Sequence, residues 1–157
     1  MRTLKEDYCN NSKKSFFVIL MYRICNNLYK NNYKKMAAIL DCLFSVFRCV
    51  FCIDAQISFK CRIGKRIRFP HGAQGVVISR YAQIGDDVVI YHGVTIGINE
   101  RKTNRYVVIG DGCFIGTGAK IINCKLGDNC LIGANAVAYK DVKDGVTLVS
   151  LSQCKEK

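Results

Sequence analysis

An aliphatic residue recurs at every sixth position between residues 57 and 138, and a glycine usually follows it. The pairs Ile84-Gly, Ile96-Gly, Ile109-Gly and Ile132-Gly show the pattern clearly. A period of six matches neither the 3.6-residue period of an α-helix nor the two-residue period of a strand. It fits a coil with three flat sides, in which each side is one short strand and the aliphatic side chain points inward. The pattern predicts an all-β repeat, a parallel β-helix.

The period of six is broken at three steps, which run from Phe69 to Ile78, from Ile96 to Ile109 and from Ile121 to Leu126. The first two steps are longer than six residues and the third is shorter. A repeat fold buries the same position in every coil, so inserted residues must be expelled to the surface, where sites are usually built. The first insertion contains His71, and the second contains Arg101, Lys102 and Arg105.

The chain divides into three parts: a lead-in and helical segment, the β-helix domain and a C-terminal tail, over residues 1–53, 54–150 and 151–157. Residues 1–15 are polar and basic, which predicts a frayed lead-in. Residues 16–29 and 36–53 are apolar and contain neither glycine nor proline, so both segments are expected to be helical.

The second apolar segment reads MAAILDCLFSVFRCVFCI and is marginal in length for crossing a bilayer. Asp41 and Arg48 lie within it and make a membrane span costly. Three interpretations remain open, in falling order of preference. The segment caps the coil or packs on a sister subunit, lies in a membrane interface, or spans the membrane.

The formal net charge of +12 is large for 157 residues. It favours a polyanionic partner, an anionic membrane surface or a phosphorylated cofactor. The sequence shows no zinc-finger spacing, no aromatic RNA-binding motif and no helix-turn-helix signal, so nucleic-acid binding is not expected. The N-terminus lacks the pattern of a secretory signal peptide. We therefore expect a cytoplasmic protein, with peripheral contact to the inner membrane face through residues 16–53 as an open alternative.

Ten cysteines accompany only two histidines, and no paired set of metal ligands emerges from their spacing. No metal site is therefore expected. Cys113 and Cys130 each follow a corner aliphatic residue by four positions, so they are expected to stack on successive coils. Cysteine packs readily as a small buried hydrophobic residue. So many thiols are most simply explained by a reducing compartment.

His71 is the first candidate for catalysis, because imidazole near neutral pH can accept a proton from a hydroxyl group. A histidine that only holds an irregular corner is an equally good interpretation of the residue itself. His92 lies 21 residues later and has the same phase within its repeat. If the first insertion absorbs the three residues beyond one 18-residue coil, the two imidazoles lie on adjacent coils along one edge.

Three stretches together resemble the serine acetyltransferase family: IGKRIRFPHGAQGVVI, YHGVTIG and IGTGAKI, at residues 63–78, 91–97 and 115–121. The resemblance extends over about residues 54–149. Within that family, the shorter sugar and polysaccharide O-acetyltransferases look most similar. The resemblance implies a left-handed parallel β-helix with a short N-terminal α-helical segment, assembled as a homotrimer with acetyl-CoA between neighbouring coils.

The resemblance also implies roles for individual residues. His71 matches the catalytic histidine, which removes the proton of the acceptor hydroxyl as that hydroxyl attacks the thioester. Gly97, Thr117 and Ala134 match positions where the family's backbone meets the pantetheine arm of the cofactor. Gly116 is expected beside them, because a residue without Cβ allows a close approach. The basic loop around Arg101, Lys102 and Arg105 is a candidate for contact with phosphates or an anionic acceptor.

Several positions depart from the family pattern for the amino-acid acceptor. Pro70 and Gln56 stand where two aspartates are expected, and Tyr106 stands where a second active-site histidine is expected. His92 and Tyr106 are the remaining candidates for acceptor binding. On these grounds the sequence predicts an acetyl-CoA-dependent O-acetyltransferase acting on a sugar or polysaccharide precursor. The alternatives are a non-catalytic β-helix scaffold and an acetyltransferase for serine or another small molecule.

Overall fold

A computed structural model describes residues 2–101 and 105–150 of the chain. Three helices come first: α1 (Arg2–Cys9), α2 (Lys13–Lys30) and α3 (Lys34–Val50). Thirteen short strands follow: β1 (Gln56–Ile57), β2 (Arg62–Ile63), β3 (Val77–Ile78), β4 (Ala82–Ile84), β5 (Val89–Ile90), β6 (Thr95–Gly97), β7 (Val107–Ile109), β8 (Phe114–Ile115), β9 (Lys120–Ile122), β10 (Lys125–Leu126), β11 (Leu131–Ile132), β12 (Val137–Ala138) and β13 (Thr147–Leu148).

The strands form three parallel sheets that wind around one axis. The first sheet has the order β1-β3-β6-β9-β12, the second β2-β4-β7-β10 and the third β5-β8-β11-β13. Residues one coil apart are paired, as in the register Ile78–Ile96–Ile121 of the first sheet. The chain therefore forms the left-handed parallel β-helix that the six-residue period and the family resemblance together predicted.

The aliphatic residue of each repeat points into the coil, as expected. Ile90, Ile96, Ile115, Ile121 and Ile132 have no exposed surface. Burying one such side chain stabilises the fold by roughly 1.5–3 kcal/mol, so the stack supplies most of the core.

The predicted stacking of Cys113 and Cys130 is confirmed. Both are buried, and they precede β8 and β11, which pair directly. Burial raises the pKa of the Cys113 thiol to about 11. A thiol with such a pKa is not reactive at neutral pH, so this cysteine acts as a small hydrophobic residue of the core.

Helix α2 covers the open edge of the first coil. Asn26 donates from Nδ2 to the carbonyl oxygens of Phe59 (2.8 Å) and Cys61 (3.0 Å). The Tyr22 hydroxyl donates to Cys61 O at 3.0 Å and accepts from Ile63 N at 3.1 Å. Polar side chains of α2 thus form hydrogen bonds with backbone groups at the edge of the first coil, where no earlier strand pairs with them. Helix α2 therefore caps the first coil, whereas the cap was proposed for the second apolar segment, residues 36–53.

The expectation of a frayed lead-in was wrong for residues 2–9. They form α1, and its Asp7 is fully buried against Arg23 of α2, with Arg23 Nε 3.1 Å from Asp7 Oδ2. Asn11, just after α1, donates to Ile67 O at 2.7 Å and accepts from Phe69 N at 2.9 Å. These long-range contacts order a segment whose own composition is too polar to predict a buried helix.

Helix α3 contacts α2 but buries only Ala37. Its Asp41 and Arg48 form an ion pair at 3.8 Å and face the first sheet across a cavity. The apolar side of α3 faces outward, where Ile39, Leu43 and Val50 are 64%, 60% and 71% exposed. In the part of the chain that the structure describes, no helix combines the length and apolarity needed to cross a bilayer.

Candidate active site

The first insertion forms an exposed loop at the turn from the third sheet to the first. The same turn recurs on the following coils, and we call the four segments together the histidine corner (residues 70–75, 91–94, 116–119 and 133–136). Gly72 N donates to Phe69 O and Gln74 N donates to His71 O, each at 3.3 Å. Gly72 and Gly75 have φ values of 71° and 63°, which a glycine adopts without strain. This tight double turn projects His71 from the surface, and its side chain is exposed.

His92 lies directly beside His71 on the next coil. The two ring centroids are 4.9 Å apart and the rings are nearly perpendicular, at 87°. Tyr91 packs 5.5 Å from His71 and 5.1 Å from Phe114, centroid to centroid. The sequence expectation that the two imidazoles share one edge is therefore confirmed, and their functional roles stay predictions.

One polar atom at this corner is buried without a partner. His92 Nδ1 has no hydrogen bond to any described residue. A buried imidazole nitrogen without a donor nearby is best left unprotonated, because an unpaired buried N–H group costs about 1–3 kcal/mol. This geometry favours the tautomer of His92 that carries its proton on Nε2 and leaves Nδ1 free to accept a hydrogen bond.

Backbone hydrogen bonds tie the coils of the histidine corner together. Gly93 N donates to Gln74 O at 2.8 Å, and Gly118 N donates to His92 O at 2.9 Å. Lys120 reaches back along the first sheet and donates from Nζ to Gly93 O at 2.9 Å. The His71 loop therefore rests on a rigid stack, which suits a group that must be positioned accurately.

Two of the predicted cofactor contacts, Thr117 and Ala134, lie on the same corner, one and two coils beyond His92. Thr117 is half-buried and Ala134 is exposed. Their backbone N–H groups donate no hydrogen bond to any other described residue. Small side chains beside free N–H groups fit a ligand with amide carbonyls, such as the pantetheine arm of acetyl-CoA. Gly97 is half-buried at the end of β6, on the far side of the first sheet.

The structure gives a packing reason for the missing side chain of Gly116, and its predicted place beside the cofactor stays a prediction. A Cβ at this position would lie 2.8 Å from Ala134 N and 2.9 Å from Gly133 C, both backbone atoms of the next coil. We therefore expect Gly116→Ala to destabilise the protein by about 1–3 kcal/mol through coil–coil crowding. Chemical unfolding measures this loss, and Ala134→Gly is the matched control without crowding. Unchanged stability together with weaker CoA binding would assign Gly116 to the cofactor instead.

Tyr106 and the basic loop lie away from His71 within one chain. Tyr106 is half-buried and immediately precedes β7, at the turn from the first sheet to the second. Arg101 and Arg105 are exposed on the same loop, whereas Lys102 lies outside the described residues. His71 and Tyr106 thus lie at opposite ends of the strands of the first sheet, and the structure does not bring them together.

A cavity of about 530 Å³ opens between α3 and the start of the first sheet, next to the His71 loop. Its polar lining includes Asp41 and Arg48 from α3, and Asp54 and Gln56 around β1. Asp54 Oδ1 also accepts a hydrogen bond from Gly75 N, which links the cavity wall to the loop. Sequence reasoning treated Asp41 and Arg48 only as a cost to a membrane helix and missed their placement here.

No group of three His, Cys, Asp or Glu side chains suitable for a metal ion is found among residues 2–101 and 105–150. The histidine corner and the neighbouring cavity offer imidazole, phenol, backbone amides and charged side chains. An exposed imidazole beside a coil edge of small residues can act as a general base. It would remove the proton of a hydroxyl acceptor that attacks a bound thioester.

Comparison with known proteins agrees with this chemistry. Residues 106–140 match the family model described as bacterial transferase hexapeptide (six repeats). The coil and the histidine corner together define an acyltransferase of the hexapeptide-repeat class that uses acetyl-CoA.

The comparison with individual relatives is more specific. A serine acetyltransferase of Helicobacter pylori is 34% identical over 157 residues, covering 94% of this chain and 88% of that protein. The Neisseria gonorrhoeae serine acetyltransferase in complex with serine is 35% identical, with a TM-score of 0.75 over 88% of this chain. The Brucella abortus enzyme in complex with coenzyme A is 32% identical, also with a TM-score of 0.75. The chain belongs to the serine acetyltransferase family.

The chain covers 55% and 54% of those two solved chains, respectively. The prediction of a sugar or polysaccharide acceptor was wrong, because these relatives are serine acetyltransferases. The prediction gave too much weight to Pro70, Gln56 and Tyr106 at positions of the family's acceptor groups. The scaffold alternative is also less well supported than an enzyme.

Proposed function

We propose that this protein transfers the acetyl group of acetyl-CoA to the hydroxyl of L-serine. The observation that carries the proposal is the exposed His71 on its rigid corner, in a chain whose relatives include serine acetyltransferases over nearly its full length. The related structures in complex with serine and with coenzyme A support the two substrates.

His71 acts as the general base in this reaction. Its imidazole accepts the proton of the serine hydroxyl while the hydroxyl oxygen forms a bond to the thioester carbonyl carbon. The carbon–sulfur bond then breaks, and the imidazolium returns the proton to the departing thiolate. Because both substrates are held at once, positioning supplies much of the acceleration. His92 packs against the His71 ring and helps to fix its orientation.

The cavity beside the loop supports a zwitterionic acceptor. Asp54 offers a carboxylate for an ammonium group. Arg48 pairs with Asp41 through one guanidinium nitrogen at 3.8 Å and offers its other N–H groups for a carboxylate in the same cavity. Gln56 adds a neutral hydrogen-bonding group on the same wall. An amino acid carries both of the complementary charges, whereas a neutral sugar carries neither.

A homotrimer is part of the proposal. Tyr106 and His71 lie at opposite ends of the strands of the first sheet, so a small acceptor can meet both only if a second copy supplies one of them. Association of three β-helices side by side would also cover the outer row of the third sheet, where Phe114 and Leu131 are 36% and 42% exposed.

The direct test is acetyl transfer with purified protein, acetyl-CoA and a panel of acceptors. We expect release of CoA thiol with L-serine, and no release with D-serine, glycerol or neutral sugars. Turnover with a sugar and none with serine would overturn the proposal, and so would the absence of CoA binding in calorimetry.

Asp54→Asn tests the acceptor cavity. The change removes the carboxylate charge but keeps an oxygen that accepts from Gly75 N, so the loop stays in place. We expect the KM for serine to rise about 10–100-fold, the effect of losing one charge-assisted hydrogen bond, while the KM for acetyl-CoA is unchanged. Steady-state kinetics measure both constants. Equal changes in the two would show that Asp54 only supports the loop.

A further inference from the structure

A second cavity lies at the starting end of the β-helix, between the helices and the first coil. It has a volume of about 490 Å³ and is lined by the end of α2, the start of α3 and the turn that joins β1 to β2. Four of its lining side chains are cations: Lys30, Lys34, Lys60 and Arg62. We call it the cationic cavity. It shares no lining residue with the cavity beside the His71 loop.

The positive charge of the cationic cavity is not balanced within the described part of the chain. No aspartate or glutamate lines the cavity, and none of its four cations forms an ion pair with a described carboxylate. Lys60 Nζ lies 5.8 Å from the centroid of the Phe59 ring, a neutral partner that leaves the charge intact. Burial raises the pKa of the Cys61 thiol to about 12, so this lining residue adds no negative charge at neutral pH.

This arrangement costs stability unless an anion occupies the cavity. Like charges in one cavity repel each other, and concave walls of low dielectric constant strengthen the field between them. Lys34 also stands in the first turn of α3, where the positive end of the helix dipole disfavours a cation. That turn contains no acidic residue to offset the charge. A bound anion would relieve both repulsions.

The wall formed by the turn from β1 to β2 is held in place by α2. Asn26 donates from Nδ2 to the carbonyl oxygens of Phe59 and Cys61. The Tyr29 ring packs edge-on against the Phe59 ring, with the two centroids 5.7 Å apart. A wall that is already ordered lowers the entropic cost of binding a ligand.

Charge and size together identify the class of ligand. A phosphate group carries about 1.5–2 negative charges at neutral pH, so two phosphate groups balance four cations, whereas a carboxylate carries only one charge. Guanidinium and ammonium groups are the side-chain groups that proteins use to hold phosphate. The volume of the cavity is in the usual range for small-molecule sites.

We propose that the cationic cavity binds a small molecule or a lipid headgroup that carries two or more phosphate groups. The site is separate from the histidine corner, because the cavity lies at the opposite end of the strands of the first sheet. The proposal does not depend on which acceptor the enzyme uses.

Calorimetry with inorganic triphosphate tests the cavity. The variant K60Q/R62Q removes two of its cations, and the control K125Q/K143Q removes two exposed lysines at the other end of the β-helix, so both variants have the same net charge. We expect the Kd for triphosphate to rise about 10–100-fold in K60Q/R62Q, through the loss of charge-assisted hydrogen bonds, and to stay near the wild-type value in the control. Equal affinity in the two variants, or no binding by the wild type, would overturn the proposal.

The opposite wall provides an independent variant, K30Q/K34Q, for which we expect the same loss of triphosphate affinity. All four cations are exposed, so circular dichroism should show wild-type helix content in both cavity variants. Both should also bind acetyl-CoA like the wild type, because the cavity and the histidine corner share no residue. Loss of acetyl-CoA affinity in both variants would assign the cations to the cofactor and overturn a separate site.

Vesicle sedimentation identifies the source of the phosphate groups. Vesicles of phosphatidylcholine and cardiolipin, whose headgroup carries two phosphates, are pelleted with the wild type and with K60Q/R62Q. Pelleting of the wild type that triphosphate reverses and that K60Q/R62Q lacks would identify a lipid headgroup as the ligand. Equal behaviour of the two proteins towards vesicles, together with weaker triphosphate binding by K60Q/R62Q, would identify a soluble ligand. Equal behaviour in both measurements would overturn the proposal.

Discussion

Replacing His71 by alanine is expected to lower the rate of acetyl transfer by about 10²–10⁴-fold, the usual contribution of a general base. Because the side chain is exposed on a loop, the free energy of unfolding should change by no more than about 0.5 kcal/mol. The measurement is the steady-state rate of CoA thiol release, with acetyl-CoA affinity from calorimetry as the control for cofactor binding.

His71→Asn separates the loss of the base from the loss of packing. Asparagine keeps a polar group of moderate size beside His92 but does not take up a proton near neutral pH. We expect it to be as inactive as alanine and to bind acetyl-CoA like the wild type. An asparagine variant with near-normal turnover would show that His71 only shapes the corner.

Replacing Arg23 by alanine is expected to destabilise the protein by about 3–5 kcal/mol at neutral pH, the cost of leaving a buried charge without its partner. Arg23 pairs with Asp7, which is fully buried, and also donates to the carbonyl oxygens of Ile63 (2.6 Å) and Gly64 of the first coil. Urea unfolding measures the loss.

The loss of stability caused by Arg23→Ala should depend on pH in a definite direction. Burial raises the pKa of the Asp7 carboxyl above its usual value, and Arg23 opposes that rise. A carboxyl whose pKa is raised by folding contributes stability at low pH and loses it as the pH increases through the folded-state pKa. Without Arg23 the pKa rises further, so the deficit of the R23A variant should shrink as the pH falls towards the usual value of 3.8.

The double variant D7N/R23A is the matched control for that experiment. It removes the charge of both partners, so its loss of stability should be smaller than that of R23A and should not depend on pH in this window. Equal losses in the two variants would mean that the bonds of Arg23 to the first coil dominate, and that the buried charge of Asp7 matters little.

The sequence predicted the β-helix because its core depends on a local repeat. Each coil must bury the same position, so the regular spacing of Ile96, Ile115 and Ile132 alone predicts that their side chains point inward. The contact between His71 and His92 was also predictable, since one coil plus the inserted residues fixes their relative height. Local periodicity sufficed for both.

Other features depend on contacts that no local pattern records. The burial of Asp7 requires Arg23 in another helix, so the local sequence of α1 predicts only a frayed polar lead-in. The outward direction of the apolar side of α3 is equally hidden, because periodicity gives the apolar side of a helix without its orientation to the core. The placement of Asp54 and Arg48 in the wall of one cavity is hidden as well, because the two residues belong to separate elements.

Covering the first coil with α2 has a consequence for polymerisation. A parallel β-helix is a short segment of a structure that could in principle continue indefinitely, because each exposed edge is a template for another strand. In the described part of this chain, Asn26, Tyr22 and Arg23 occupy backbone carbonyl groups at the starting edge of the second sheet, around β2. A second molecule therefore cannot pair a strand with β2, which blocks head-to-tail growth along this sheet.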